Sequence, residues 1–182
     1  MKAEIISVGT ELILGSTLNT NTYYITQKLS EAGINVLFHT SVIDDKKLLE
    51  SVINISLNRA DLIIITGGLG PTTDDLTKEV LADTLKLPLK LNQDLENNIK
   101  KYFYRTNRTM PSNNIKQAYI PDGSKFLKNE IGTAPGIYLE HKGKIVILLP
   151  GPPKEMKLMF DNYASLRERK EEKVVKIWSI PY

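Results

Sequence analysis

Three glycines and two aspartates lie together in one short stretch of the chain. Gly67, Gly68 and Gly70 are followed closely by Asp74 and Asp75. Glycines can expose backbone N–H groups to a phosphate without a Cβ in the way. The two carboxylates would repel a bare phosphate, but a divalent cation between the two groups makes the combination favourable. The stretch therefore predicts metal-assisted chemistry on a phosphorylated ligand.

A plainer interpretation of the same stretch stays open. Glycine-rich connections between a strand and a helix are often only tight turns, and aspartate is a common helix N-cap. The stretch is not a Walker A loop, because no Gly-Lys-Ser/Thr sequence follows, and it lacks the GxGxxG spacing of a dinucleotide fold. Taken alone, it supports phosphate binding and a simple turn about equally.

The apolar pattern predicts the elements that position these residues. Residues 5–8, 34–40 and 62–65 predict strands, and helices are expected at residues 21–32 and from Asp44 and Asp45 onward. A further helix is expected to begin at Asp74 or Asp75 and to run to about residue 85. This alternation predicts right-handed βαβ crossovers and a parallel sheet, so the fold class is α/β. The loops that follow the strands would then share one edge of the sheet, where such folds bind ligands.

The second half of the chain is less regular. Helices are expected over residues 93–104, 113–117 and 154–163, and residues 136–149 predict a β-hairpin. We expect one domain over residues 1–163. Residues 164–182 would form a charged linker and a strand, at residues 174–180, with no partner in the remaining chain.

Four carboxylates follow the predicted strands and could converge on one pocket. They are Glu11, Asp44, Asp74 and Asp75, and Gly9 and Thr10 share the first of these loops. Mg²⁺ needs only one or two carboxylates, together with water and phosphate oxygens. For any one of these acids taken singly, a helix cap or a surface position is the commoner role.

Other small and polar residues are candidate ligand contacts. Thr72 and Thr133 offer hydroxyl groups to a phosphate, and Gly132 allows close approach of the backbone, although a simple turn before the hairpin fits residues 131–136 equally well. One of Asn19 and Asn21 is expected to cap a helix. Asn21 is our candidate for contact with the nucleotide.

The composition excludes several classes of site. The chain has no cysteine, so it has no disulfide, no iron–sulfur cluster and no thiol nucleophile, and it has only two histidines. A hard cation bound by oxygen therefore fits better than a transition metal bound by histidines. The formal net charge of +3 gives weak support for nucleic-acid binding. No membrane span or signal peptide is evident, so we expect a cytoplasmic protein.

Five segments in register resemble a known family. They resemble the N-terminal domain of the competence/damage-inducible protein A (CinA) family, which is similar to the molybdopterin-binding domain of molybdenum-cofactor biosynthesis proteins. The resemblance covers about residues 1–163 and implies a three-layer α/β/α fold. The segments are VGTELILG at 8–15, NTN at 19–21, TGGLGPTTDDLT at 66–77, GTAPG at 132–136 and LPGPPKEM at 149–156.

The resemblance also implies an activity. It implies an ADP-ribose pyrophosphatase that depends on Mg²⁺, Co²⁺ or Mn²⁺, often with K⁺, and that releases AMP and ribose 5-phosphate. Asp44 and Asp75 match positions with functional roles in the related molybdopterin proteins, whereas Glu11 and Asp74 are added from loop placement. Longer family members continue into a middle domain and a nicotinamide-mononucleotide deamidase domain, and the last strand here resembles the opening strand of that middle domain.

These observations lead to one main expectation and two alternatives. We expect metal-dependent hydrolysis by water, with Asp75, Asp44 and Glu11 as catalytic residues and Asp74, Asp75 and Asp44 as metal ligands. The first alternative is a module that binds molybdopterin or a nucleotide without cleaving it. The second is an inactive remnant that only oligomerises. The resemblance implies a homo-oligomer, and we expect neither nucleic acid nor a membrane as partner.

Overall fold

The computed structural model describes residues 1–170, with side chains described through residue 163. Eight strands lie in this part of the chain: β1 (Lys2–Val8), β2 (Asn35–Val42), β3 (Leu62–Thr66), β4 (Leu89–Leu91), β5 (Tyr119–Pro121), β6 (Lys125–Leu127), β7 (Gly136–His141) and β8 (Lys144–Leu149). The helices are α1 (Thr10–Ile13), α2 (Thr20–Glu31), α3 (Lys46–Arg59), α4 (Thr77–Leu85), α5 (Gln93–Arg105) and α6 (Pro153–Lys170), with a 3-10 helix at Ser112–Ala118.

Six strands form the central sheet, in the order β2-β1-β3-β8-β7-β6. Strands β2, β1, β3 and β8 are parallel to one another, and β7 runs antiparallel to β8 and β6. The predicted α/β fold with a mainly parallel sheet and a hairpin near residues 136–149 is therefore confirmed. Strands β4 and β5 form a separate antiparallel pair.

The isoleucines of the central strands alternate between two cores, one on each face of the sheet. Ile63 and Ile65 lie in the core that includes Leu49 of α3 and Leu81 of α4. Ile64 lies in the other core, with residues of α2 and α6. Because side chains alternate along a strand, a continuous apolar run serves both faces. The result is the expected three-layer arrangement, with helices on both sides.

Several local predictions differ from the structure. Residues 10–13 form a short helix instead of a loop. Helix α4 begins at Thr77 and not at Asp74 or Asp75, because the Asp75 carboxylate is bonded to Thr72 and the cap position belongs to Leu76. The short strands β4, β5 and β6 were not predicted, since three residues carry too little periodicity to register.

The predictions for α2, for α6 and for the last residues of the chain have different outcomes. Asn19 caps α2 by accepting the N–H of Thr22 at 3.1 Å, as expected for one of the two asparagines. Helix α6 continues to Lys170, past the predicted end at residue 163. The strand predicted over residues 174–180 lies outside the described residues. None of the helices in residues 1–170 combines the length and apolar character that a membrane span requires.

Candidate phosphate and metal site

A pocket of about 400 Å³ lies at the carboxyl ends of β1, β3 and β8. This is the edge at which open α/β sheets bind ligands, and the volume suits a small molecule. Eight of the residues that line it were named individually in the sequence analysis: Gly9, Glu11, Asp44, Gly67, Gly68, Gly70, Asp75 and Thr133.

The loop after β3 needs glycine at its first two positions. Gly67 has φ +99° and Gly68 has φ +66°, which is backbone that L side chains rarely adopt. A Cβ on Gly67 would also collide with the carbonyl oxygen of Val8, and one on Gly68 with the hydroxyl of Thr77. The glycines therefore serve a tight turn as well as any ligand.

Three successive carbonyls of this loop accept hydrogen bonds from other parts of the domain. The Gly67 carbonyl accepts the Thr77 hydroxyl at 2.9 Å, and the Gly68 carbonyl accepts the Thr77 N–H at 3.1 Å. The Leu69 carbonyl accepts the side-chain amide of Gln117 at 3.1 Å. In a planar trans peptide, the next N–H points opposite the carbonyl.

This anchoring of the carbonyls directs the N–H groups of the same loop toward the pocket. Within the described residues, the N–H groups of Gly68, Leu69 and Gly70 have no hydrogen-bond acceptor, and all three residues line the pocket. Consecutive free N–H groups form an anion-binding concavity. Gly67 differs from the prediction in one respect, because its N–H donates to the Leu149 carbonyl at 3.0 Å and is not available to a phosphate.

The two aspartates that line the pocket each accept two hydrogen bonds from a threonine. Asp44 accepts both the N–H and the hydroxyl of Thr10 at 2.9 Å. Asp75 accepts the N–H of Thr72 at 2.9 Å and its hydroxyl at 2.5 Å. In each pair one carboxylate oxygen, Oδ2, takes both bonds, so the other oxygen remains available to a ligand.

A fourth pocket carboxylate, Glu155, was not assigned from sequence. It lies in the first turn of α6 and accepts the side-chain N–H of Asn129 at 2.6 Å. The same amide group donates to the Ala134 carbonyl at 2.8 Å, so Asn129 ties α6 to the segment before β7. The only sequence signal was its place in the PGPPKE segment after β8.

No basic side chain within residues 1–163 forms an ion pair with these carboxylates. Glu11, Asp44, Asp75 and Glu155 take part in none of the ion pairs formed within the described residues. Their hydrogen-bond donors are neutral hydroxyl, amide and backbone groups. Carboxylates grouped at one site without a cation favour an external cation, which lowers their mutual repulsion.

Four predicted site residues do not line this pocket. Thr72 lies outside the pocket but donates hydrogen bonds to Asp75, which lines it, and Asp74 is exposed to solvent. Gly132 borders a smaller neighbouring cavity, which shares Thr133 with the main pocket. Asn21 donates to the Gly151 carbonyl at 2.8 Å and so holds the loop after β8 in place.

The donor set fits a hard divalent ion that shares its ligands with phosphate. Within residues 1–163, no three acidic or histidine side chains are close enough to form a complete metal site by themselves. Mg²⁺ does not need one, because it is usually bound by one or two carboxylates, waters and substrate phosphates. Asp44 and Asp75 are placed to supply those carboxylates.

Comparison with known proteins decides the family. A family model described as a probable molybdopterin binding domain matches residues 4–168. The protein CinA from Thermoplasma acidophilum, whose function is given as unknown, superposes with a TM-score of 0.84 at 34% identity, covering 90% of this chain and 96% of that one. The chain belongs to the CinA family. Its described residues form the molybdopterin-binding-like domain of that family.

Longer bacterial relatives share this domain. A CinA-like protein from Dictyoglomus turgidum is 52% identical over 163 residues, which are 90% of this chain and 40% of the relative. A competence-damage inducible protein from Bacillus subtilis is 52% identical over 163 residues, with 39% of its length covered. This CinA-family chain therefore spans less than half the length of these relatives.

More distant structures share the fold alone. MoaB from Thermus thermophilus, titled a molybdopterin biosynthesis enzyme, superposes with a TM-score of 0.62 at 17% identity, covering 97% of this chain and 95% of that one. At this identity the likeness extends to the architecture of the domain and not to its chemistry.

Proposed function

We propose that this CinA-family domain hydrolyses the diphosphate bond of a nucleotide with the help of a divalent metal, and that ADP-ribose is the substrate. One observation carries the proposal. Four carboxylates that have no cationic partner among the described residues line a pocket, beside three backbone N–H groups that have no acceptor in that part of the chain. The carboxylates suit a cation and the N–H groups suit a phosphate. A metal-bound diphosphate satisfies both.

Each set of residues has a distinct part in this proposal. The N–H groups of Gly68, Leu69 and Gly70 bind phosphate oxygens, and Asp44 and Asp75 hold the cation. Mg²⁺, Mn²⁺ or Co²⁺ at that position would withdraw charge from the phosphoryl group. Thr133, which lines the same pocket, offers a hydroxyl to the substrate.

The chemical step needs a water molecule and a proton acceptor. The water oxygen bonds to one phosphorus atom while the bond from that phosphorus to the bridging oxygen breaks, and the bridging oxygen leaves on the other phosphate. AMP and ribose 5-phosphate result. Glu11 and Glu155 line the pocket without an ammonium or guanidinium partner among the described residues, so either carboxylate can accept the proton of the water.

A binding module is the second candidate. The matched family model is described as a molybdopterin binding domain, and the same loop could hold a phosphorylated pterin without cleaving it. This function would require affinity without turnover. The two candidates therefore differ in product formation and not in the location of the site.

We also propose that the chain forms a homo-oligomer. Strand β2 lies at the edge of the sheet and exposes Leu37 and Phe38, and Leu14 and Leu18 are 75% and 84% exposed. Apolar side chains and an unpaired strand edge favour contact with a second copy. The molar mass in solution, measured by light scattering, tests this proposal, and a strictly monomeric protein would reject it.

Hydrolysis of ADP-ribose by the purified chain tests the proposed activity. Release of AMP and ribose 5-phosphate is measured with Mg²⁺, Mn²⁺ or Co²⁺, with and without K⁺, and with a chelator as control. We expect release only with a divalent metal. Absence of product from a folded protein that binds ADP-ribose would favour the binding module. Absence of both product and ligand-induced thermal shift would favour an inactive remnant.

A further inference from the structure

The loop after β3, residues 67–75, is bonded to the 3-10 helix Ser112–Ala118, which lies about forty residues further along the chain. Three side chains of this helix, those of Asn113, Lys116 and Gln117, donate hydrogen bonds to backbone carbonyls of residues 69–75. The helix makes these bonds with backbone atoms, so the loop's own side chains stay free for the pocket. No sequence motif considered above included this helix in the site.

Gln117 holds the part of the loop that exposes the free N–H groups. It is only 1% exposed, and its side-chain N–H donates to the Leu69 carbonyl at 3.1 Å. Its oxygen accepts the side-chain amide of Asn114 at 2.9 Å, and Asn114 is 4% exposed. This buried relay orients the peptide whose N–H belongs to Gly70.

Lys116 holds the part of the loop that carries the aspartate. Its ammonium group donates to the Thr72 carbonyl at 3.0 Å and to the Asp75 carbonyl. The Asp75 carboxylate points elsewhere, because it accepts the N–H and hydroxyl of Thr72. The Lys116 ammonium group also lies 3.7 Å from the Glu79 carboxylate. Its charge is thus directed at the loop backbone and at Glu79, and it forms no ion pair with the carboxylate of Asp75.

Lys116 is itself fixed by a second lysine. The ammonium group of Lys78 donates to the Lys116 carbonyl at 2.6 Å, and Lys78 is 5% exposed. Burial lowers the pKa of Lys78, and nearby Glu79 opposes that shift. Placing a charged group in the interior is unfavourable unless it is well bonded. Lys78 meets this requirement through the Lys116 carbonyl and through Glu79, whose carboxylate lies 3.7 Å from its ammonium group.

We infer that the 3-10 helix Ser112–Ala118 positions the two halves of the site separately, with Gln117 setting the phosphate-binding N–H groups and Lys116 setting Asp75. This inference rests on the proposed function. It deepens that function by assigning substrate affinity to one contact and the chemical step to the other. Lys116 does not line the pocket, whereas Gln117 borders it and acts on the loop through its bond to the Leu69 carbonyl.

Steady-state kinetics on two single variants test the division. Gln117→Met keeps the length of the side chain and removes the donor, and it should raise KM for ADP-ribose about 5-fold to 10-fold with little change in kcat. Lys116→Met should lower kcat about 10-fold or more with KM within about 2-fold, because a bond from a charged donor is lost. Lys116→Arg, which retains a cationic donor, should recover most of kcat.

Lys100→Met is the matched control, since Lys100 lies on α5 and pairs with Glu96 away from the pocket. Its kcat and KM should match those of the wild type. Equal effects on kcat and KM in both test variants, or effects no larger than those of Lys100→Met, would overturn the inference. If Lys116→Met does not fold, Lys116→Gln takes its place and must show the same loss of kcat.

Amide hydrogen exchange tests the positioning without any turnover. In Lys116→Met, the Thr72 N–H that donates to Asp75 should exchange faster, whereas amides of β1 and β3 should exchange as in the wild type. If the wild type releases no AMP, the proposed function fails, but this readout still decides the inference. Unchanged exchange at Thr72 would overturn it.

Discussion

Two sets of acidic residues in this molecule differ in how their charge is satisfied. Glu4, in the middle of β1, is fully buried and accepts hydrogen bonds from Arg59 at 2.6 and 2.9 Å and from Thr40 at 2.7 Å. The pocket carboxylates, at the end of the same sheet, are bonded only to neutral donors. Glu4 has a cationic partner in Arg59, whereas the pocket carboxylates have none among the residues that the structure describes.

The pKa of Glu4 reflects its complete pairing. Burial raises this pKa, but hydrogen bonds from Arg59, Thr40 and Ser56 outweigh burial and leave the pKa below its usual value. The charged form is therefore built into the fold. The difference teaches that this chain supplies a cation where a carboxylate is structural, so the uncompensated carboxylates of the pocket are better explained by a cation that arrives with the ligand.

The largest expected effect is on catalysis by the pocket aspartate. Asp75→Asn keeps the shape of the side chain but removes its charge, so we expect kcat for ADP-ribose to fall about 1,000-fold while the thermal midpoint changes little. Asp74→Asn is the matched control, because Asp74 is exposed and does not line the pocket. Comparable losses in both variants would show that the pocket does not distinguish the two neighbours.

Loss of the ion pair between Glu4 and Arg59 should lower stability and leave turnover unchanged. Arg59→Met leaves the buried carboxylate of Glu4 without its cationic partner, so we expect the thermal midpoint to fall by about 6–12 °C. Turnover measured well below that midpoint should stay within about 2-fold of the wild type, since Glu4 lies outside the pocket. Lys28→Met, which removes an exposed pair with Glu31, serves as the control. A specific loss of turnover in Arg59→Met would break the comparison.

The pH dependence of stability provides a related test. Because the pKa of Glu4 is lowered in the folded state, its stabilising contribution is present above the usual glutamate pKa of 4.5 and is lost as the pH falls through the lower pKa of the folded state. Glu4→Gln removes this titration. Chemical denaturation from pH 6 to pH 3 should therefore show a shallower acid-side decline in the variant than in the wild type. Identical slopes would contradict the assignment.

The smallest expected effect concerns the threonine that orients Asp75. Thr72→Val removes the hydroxyl bond to the carboxylate but leaves the bond from the backbone, so we expect kcat to fall about 10-fold. Thr73→Val changes the exposed neighbour and should leave kcat unaffected. If both variants behave like the wild type, the threonine–aspartate pair does not contribute to positioning.

Most of the fold could be predicted from sequence because its signals are local. The run of isoleucines in β3 serves two cores, and the glycines of the following loop satisfy a turn that other residues cannot adopt without strain. The family resemblance, based on five segments in order, was confirmed by the family model and by the Thermoplasma acidophilum structure.

The parts that could not be predicted depend on distant contacts. Loop placement alone does not separate Asp74 from Asp75, and the structure shows that Asp75 lines the pocket and is bonded to Thr72. Glu155 reaches the site through the packing of α6, and Gln117 reaches Leu69 across 48 residues of chain. No local pattern encodes such contacts, because they arise only when the layers pack together.

The most direct measurement is the affinity for a non-hydrolysable ADP-ribose analogue, with a methylene group in place of the bridging oxygen, determined by calorimetry with Mg²⁺ and with a chelator. If the pocket carboxylates hold a cation together with the diphosphate, Mg²⁺ should tighten binding by about 10-fold or more, and Asp44→Asn and Asp75→Asn should each reduce that gain. Equal affinity with and without Mg²⁺ would contradict the account.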